Sequence, residues 1–289
     1  MPLSRTFDIL GLLVMFLVAT TSPVRAQPRN ATLTATDARN LRALTEAYPL
    51  AVTGLRVTPR GDLFLVMRDG SLIEYDDGRA KTFDEKLTQP DVEDMFFQAY
   101  PPGPVQDGFL PDQDPGRFRN EAFSKSVYGA SAGDVETTLG EVDFCGEAVQ
   151  FSARNGAAAA LSAVARELDE LLAHKPELQG WVFPLGGTYK WRLIAETNRL
   201  SAHSFGTAID LNPDRGAYWL WSKNATEADI ARMRKEYPAE VVAIFERHGF
   251  IWGGKWSHFD LMHFEYRPEL IPLPRLQPAS DLASADRPR

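Results

Sequence analysis

The chain has 289 residues, of which 44% are apolar and 24% charged, a balance typical of a globular protein with a sizeable core and not of a disordered chain. Its formal net charge of -8 argues against a protein that binds nucleic acid or an anionic membrane surface through overall charge attraction. Cys145 is the only cysteine, so no internal disulfide can form, and its apolar neighbours favour a small buried side chain over a nucleophile.

Residues 1–26 have the pattern of a signal peptide. Arg5 supplies a positive start, the apolar stretch 9–19 is too short to span a membrane, and Val24-Arg25-Ala26 has the small residues of a cleavage site. We therefore expect a periplasmic or secreted protein whose mature chain begins at Gln27 and has no stable membrane span. The alternative is that the segment is kept as an N-terminal anchor helix.

Residues 27–130 are predicted to form a smaller mixed region of unassigned role. Apolar side chains spaced by three or four residues predict a helix over 33–48. Alternation on both sides of Asp69-Gly70 predicts a hairpin over 62–75, because this dipeptide favours tight hairpin turns. The stretch 101–116 is rich in Pro, Gly and Asp, which predicts a loop or linker and a soft domain boundary.

Residues 131–272 are predicted to form a second domain of mixed helices and strands. Helices are predicted over 133–139, over 155–174 with Asn155 as the cap, from Thr226 towards Arg232, and over 241–248 with Gly249 as the stop. Strands are predicted at 181–183, on both sides of a glycine turn within 200–211, and across 251–266. The predicted fold class is α+β, a small antiparallel sheet with packed helices. The polar tail 273–289 is predicted to be disordered.

Three of the five histidines lie in two short segments rich in aromatic residues and glycine, 201–210 and 258–266. Catalytic zinc is commonly held by three protein ligands, drawn from imidazole and carboxylate groups, with a further position open to water. A turn at Gly206 can bring His203 and Asp210 to one point, and His263 can reach the same point from a separate strand. The two segments therefore predict a His-Asp-His metal site.

Two acidic residues near His263 are candidates for a general base. Asp260 lies three positions earlier, and residues three apart in a regular strand face opposite sides, so a bend or bulge must separate the two. Glu265 shares a strand face with His263, which makes it either a hydrogen-bond partner of that ligand or a rival for the base role.

The run Ser201-x-His203-x-x-Gly206-x-Ala208-x-Asp210, followed by Asp260-x-x-His263-Phe264-Glu265, resembles the signature of the zinc D-alanyl-D-alanine carboxypeptidase family. That family includes D-Ala-D-Ala dipeptidases and L-alanyl-D-glutamate endopeptidases. The resemblance extends over about 155–270, where 187–192 and 252–270 are similar to an exported bacterial branch. Residues 114–119 also look typical of that branch, whereas the remainder of 33–129 carries no catalytic signal.

The resemblance implies zinc on His203, Asp210 and His263, with Asp260 as the general base. It implies that Ser201 lies near the substrate and that an arginine upstream of the first histidine stabilises the oxyanion. The usual upstream motif is altered in this chain, so Arg192 is the first candidate for that role and Arg199 the second. The implied substrate and partner is peptidoglycan, whose stem peptide would be cut by metal-activated water.

Two other functions are compatible with the same residues. The fold and metal site also resemble the signalling domain of hedgehog proteins, which would make the chain a catalytically silent, zinc-containing cell-wall-binding protein; Asp260 argues against this, because a silent relative needs no base beside the metal. A structural zinc domain would need four protein ligands, and His258 is the one spare histidine nearby. Several aromatic side chains either line a glycan or peptide groove or pack in the core: Trp191, Tyr218, Trp219 and Trp221.

Overall fold

The computed structural model of the protein describes residues 33–105 and 108–271. The predicted signal peptide, 1–26, and the predicted disordered tail, 273–289, lie outside the described residues. Within the described ranges, no helix is both long enough and apolar enough to cross a membrane.

The described residues form eight α-helices and eight β-strands, which confirms the α+β class. The helices are α1 (Ala35–Ala47), α2 (Phe83–Thr88), α3 (Glu121–Tyr128), α4 (Ala132–Glu136), α5 (Ala157–His174), α6 (Gln179–Val182), α7 (Glu227–Glu236) and α8 (Ala239–Arg247). The strands are β1 (Val52–Val57), β2 (Leu63–Met67), β3 (Leu72–Asp76), β4 (Leu139–Phe144), β5 (Glu147–Ser152), β6 (Ala208–Asp210), β7 (Phe250–Trp252) and β8 (His263–Tyr266).

The N-terminal sheet is an antiparallel meander of β1, β2 and β3. Its β2–β3 hairpin confirms the prediction from Asp69-Gly70, and Gly70 takes the positive φ of 85° that the turn requires. The predicted first helix is also confirmed as α1, which begins after a capping box formed by Thr34 and Asp37. Leu44 of α1 and Leu65 of β2 are both fully buried, so the helix covers one face of this sheet.

Strands β4 and β5 form an antiparallel hairpin that no turn motif in the sequence indicates. Its turn is Cys145-Gly146, with φ of 53° and 88°, and burial raises the pKa of the Cys145 thiol to about 12, as expected of an unreactive side chain. Helix α5 packs on this hairpin through the predicted apolar stripe. The expected cap at Asn155 is wrong, because Gly156 holds the N-cap position and makes no side-chain bond.

The third sheet has the antiparallel order β6–β8–β7, and helix α8 packs on it. Helices α7 and α8 were predicted, and the capping box of Thr226 with Asp229 is confirmed. The strand predicted at 181–183 is wrong: 179–182 is helix α6, in which Val182 is buried against the core. A short apolar run does not by itself distinguish a strand from one helical turn.

Buried polar contacts join the N-terminal region to the third sheet and helix α8. Tyr48 Oη donates to Glu269 Oε2 at 2.6 Å, and Tyr100 Oη donates to Glu246 Oε1 at 2.6 Å. Lys255 Nζ donates to the carbonyl oxygens of Pro101 and Gly103 at 2.7 and 2.6 Å. The predicted loop at 101–116 is therefore firmly attached where it is described.

Candidate metal centre

His203, Asp210 and His263 meet at one end of the β6–β8 pair. One ligand atom from each lies within 4.8 Å of the other two. His203 Nε2 is 3.2 Å from both Asp210 Oδ2 and His263 Nδ1, and His263 Nδ1 is 2.7 Å from Asp210 Oδ1. The structure thus brings together the three residues that the sequence singled out.

The local backbone explains how residues seven apart reach one point. Residues 202–205 form a short 3-10 turn in place of the first strand predicted there, because the Ser201 hydroxyl accepts a hydrogen bond from His203 N at 3.4 Å. Gly206 then reverses the chain with a φ of 63°, and a Cβ at this position would lie 2.6 Å from Leu139 Cδ2. Asp210 follows in β6, directly opposite His263 in β8.

Hydrogen bonds on the far side of each imidazole ring fix which nitrogen carries the hydrogen. His203 Nδ1 lies 2.6 Å from the carbonyl oxygen of Thr188, which can only accept, so Nδ1 donates and the lone pair of Nε2 faces the group. His263 Nε2 lies 2.8 Å from Glu265 Oε1, which leaves the lone pair of Nδ1 facing the same point. When both histidines are neutral, their two lone pairs and the Asp210 carboxylate form a donor set that a divalent cation fits.

The charges around the metal group also favour the binding of a cation. Burial by itself would raise the pKa of Asp210, but the two neighbouring histidines hold it well below its usual range. Burial lowers the pKa of His263, but the hydrogen bonds to Asp210 and Glu265 raise it to about 10. The carboxylates therefore stabilise a positive charge at this point, which either a proton or a metal ion can supply.

Glu265 is ionised and has partners on both oxygens. It is 1% exposed, and Arg119 Nε donates to its Oε2 at 2.9 Å while Arg119 Nη2 donates to its Oε1. Burial would raise the pKa of Glu265, but Arg119 and His263 hold it well below its usual range. Such a carboxylate serves as a hydrogen-bond acceptor for His263 and is poorly suited to take up a proton.

Asp260 lies in the turn before β8, beside the metal group but outside it. The predicted bend is present: His263 N donates back to Asp260 O at 3.3 Å. Gly253 packs against this residue, and a Cβ there would lie 2.5 Å from Asp260 O. Asp260 Oδ1 is shut off from solvent without a hydrogen-bond partner among the described residues, and burial raises the pKa of this carboxyl to about 7 despite the opposing effect of His263.

A cavity of about 580 Å³ opens onto the metal group, a volume suited to a small ligand or a peptide segment. Arg192 is exposed and lines this cavity, as does Ser201. Arg199 does not line it; this half-buried side chain faces a neighbouring cavity together with Arg119. The structure therefore places one of the two candidate arginines, Arg192, beside the metal group.

Of the four aromatic side chains that could line a substrate groove or pack in the core, three line the cavity and one packs in the core. Tyr218, Trp219 and Trp221 line the cavity, and Trp221 is 72% exposed at its rim. Trp191 instead packs edge-on against Phe205, with ring centroids 6.0 Å apart, in the core of the N-terminal region.

Residues 114–119, whose sequence resembles the exported bacterial branch, also contribute to the site. Asp114 is fully buried and accepts from His258 Nδ1 at 2.6 Å and from Arg117 Nη1 at 2.5 Å. Burial would raise the pKa of Asp114, but His258 and Arg117 lower it to about 2. His258 lines the cavity and is not one of the three converging ligands, so among the residues that the structure describes no fourth protein ligand of a structural zinc site joins the group.

Residues 195–266 match the family model described as D-alanyl-D-alanine carboxypeptidase. Over this segment, the chain is similar to that peptidase family. No curated protein and no solved structure matches the chain. The matched segment contains the three metal-group residues and Asp260, whereas Arg192, Arg119 and Asp114 lie outside it.

Proposed function

We propose that the protein is a zinc-dependent peptidase that hydrolyses a peptide bond in peptidoglycan stem peptides, either as a D-Ala-D-Ala carboxypeptidase or as an L-Ala-D-Glu endopeptidase. The observation that carries this proposal is that one cavity holds both a three-ligand donor set and Asp260, whose Oδ1 is buried without a hydrogen-bond partner among the described residues. All four residues lie in the matched segment. We further propose that it is exported to the periplasm or the medium, with peptidoglycan as its partner, no nucleic-acid partner and no stable membrane span after the signal peptide is removed.

The proposed mechanism assigns separate roles to the residues of the cavity. His203, Asp210 and His263 would hold the ion. A bound zinc ion supplies Lewis-acid polarisation and lowers the pKa of a coordinated water. Asp260 would take a proton from the attacking water and deliver it to the leaving amine, because its pKa of about 7 suits both directions of transfer near neutral pH.

Arg192 is the residue that we assign to the developing oxyanion. Its side chain lines the cavity, and its positive charge partly opposes the burial that raises the pKa of both Asp260 and Tyr218. A positive group held in place near the scissile carbonyl stabilises the transition state more than the ground state. Ser201 caps the turn that carries His203 and lines the same cavity, so we propose that it borders the bound peptide.

The metal assignment predicts about one zinc ion per chain for the purified mature protein. His203→Ala should lose most of this zinc, because it removes one of three ligands. Elemental analysis of the dialysed protein is the measurement. His258→Ala is the matched control, since it removes a histidine of the same cavity that lies outside the metal group, and it should keep the metal. Stoichiometric zinc in His203→Ala would contradict the ligand assignment.

Digestion of purified peptidoglycan tests the activity and identifies the bond. The mature protein should release either free D-alanine or fragments cut between L-Ala and D-Glu, as identified by mass spectrometry. A chelator should abolish the release, and added zinc should restore it. A zinc-replete protein that binds peptidoglycan and releases nothing would support the silent wall-binding alternative instead.

The exposed aromatic rim predicts a role in substrate affinity. Trp221 packs edge-on against Tyr218, with ring centroids 5.2 Å apart, and leaves most of its own surface to solvent. Trp221→Ala should raise KM for a peptidoglycan fragment roughly tenfold and change kcat little, as for the loss of a contact worth about 1.4 kcal/mol. Steady-state kinetics measure both constants. Leu50→Ala, at a residue that is 70% exposed in the N-terminal region, is the control and should leave KM unchanged; an unaltered KM in Trp221→Ala would contradict the prediction.

A further inference from the structure

Arg119 makes a two-pronged ion pair with Glu265 across 146 positions of sequence. One guanidinium nitrogen bonds each carboxylate oxygen, the planar arrangement in which arginine and carboxylate geometries match. The side chains of Arg119 and Glu265 are 16% and 1% exposed, so the pair is largely removed from water. Arg119 lies outside the segment that matches the peptidase family.

The ion pair continues into the metal group through a shared oxygen. Glu265 Oε1, which accepts from Arg119, also lies 2.8 Å from His263 Nε2. On the other side of the ring, His263 Nδ1 is 2.7 Å from Asp210 Oδ1. A carboxylate held on both oxygens cannot rotate about its terminal bond, so its lone pair stays aimed at the edge of the imidazole ring, which fixes the direction of Nδ1.

Arg119 is itself held in place by the segment that carries it. Its guanidinium lies 5.9 Å from the centre of the Trp256 ring, over which Arg117 is also placed at 5.9 Å. The indole nitrogen of Trp256 donates to the carbonyl of Pro115 at 2.7 Å, which ties the segment 114–119 to the wall of the cavity. The guanidinium therefore approaches Glu265 from a fixed position.

We propose that Arg119 is a positioning residue of the metal centre: it orients Glu265, which orients His263, so that the N-terminal region completes the zinc site from outside the peptidase segment. The inference rests on the metal centre proposed above. If the ion pair were purely structural, replacing Arg119 would affect folding and leave the affinity for zinc unchanged. The proposed positioning role instead predicts weaker zinc binding.

The experiment measures the zinc dissociation constant of the full mature chain by competition with a chromophoric chelator. Arg119→Gln should weaken zinc binding by roughly 10–100-fold, the usual cost of losing support behind a ligand, and excess zinc should restore most of the turnover. Arg119→Lys should fall between this variant and the wild type, because lysine keeps the charge but lacks the planar fork. Arg117→Gln is the matched control: it packs on the same ring but bonds Asp114, so zinc affinity should stay at the wild-type value.

The outcomes separate the inference from the proposed function. Wild-type zinc affinity in Arg119→Gln would overturn the inference alone, whereas a wild-type chain that binds no zinc would overturn the metal centre. If Arg119→Gln does not fold, the double variant Arg119→Met with Glu265→Met removes both buried charges together, a change that cores often tolerate. That variant should bind zinc as weakly as Glu265→Gln; wild-type affinity would overturn the inference.

Discussion

If the proposed zinc site is correct, replacing Asp260 by asparagine should lower kcat by about 10²–10⁴-fold, the usual contribution of a general base, and leave the zinc content unchanged. Asparagine keeps the shape of the side chain but cannot take a proton from water. The metal should remain because His203, Asp210 and His263 are unchanged. Steady-state kinetics and elemental analysis of the same preparation measure the two effects separately.

Glu265→Gln is the comparison that decides between the two acidic residues. Both oxygens of Glu265 are already occupied by Arg119 and His263, whereas Asp260 Oδ1 has no partner among the described residues. Glutamine can no longer present an ionised acceptor on both sides, so we expect weaker zinc binding, by roughly 10–100-fold, and activity that returns with added zinc. Near-normal turnover in Asp260→Asn, together with a zinc-replete but inactive Glu265→Gln, would reverse the two assignments.

The sequence predicted the elements whose signals are local. Helix α1, helix α7 and the β2–β3 hairpin each carry a cap or turn residue at the required spacing. Helix α6 was predicted as a strand because a short run with Trp181 and Val182 fits either state until its packing is known. The β4–β5 hairpin was missed because its turn, Cys145-Gly146, lacks the Asn or Asp that usually marks such turns.

The metal group was predictable because its members lie in two short segments with a recognisable pattern. The ion pair of Arg119 with Glu265, which lies behind His263, could not be predicted, because no sequence rule pairs Arg119 with a carboxylate 146 positions away. The sequence could not separate Arg192 from Arg199 for the same reason. Both precede His203, and their order along the chain does not indicate which one borders the cavity. Only the folded arrangement separates them.

Replacing Lys255 by methionine should lower the free energy of unfolding by about 3–5 kcal/mol, the range expected when one partner of a buried ion pair is removed. Lys255 is 1% exposed, and its Nζ donates to Glu246 Oε1 at 2.5 Å and to the carbonyls of Pro101 and Gly103. Methionine fills a similar volume but leaves a buried carboxylate and two carbonyls without that donor. Urea denaturation of the mature, zinc-loaded chain gives the difference through the midpoint at constant m-value.

Lys175→Met is the matched control for this prediction. Lys175 pairs with Glu240 on the surface, where the two side chains are 44% and 51% exposed, so its loss should change stability by less than about 1 kcal/mol. A loss below 1 kcal/mol for Lys255→Met as well would show that the buried pair contributes no more than a surface one. Adding Glu246→Gln to Lys255→Met should recover part of the loss, because the remaining amide carries no buried charge. Its oxygen can still accept from Gly103 N, which lies 2.7 Å from Glu246 Oε2, while its NH2 group faces the Tyr100 hydroxyl, 2.6 Å from Oε1. Recovery by the second substitution would assign the cost to the unpaired charge; no recovery would assign it to the unpaired carbonyls of Pro101 and Gly103, and hence to the attachment of the N-terminal region.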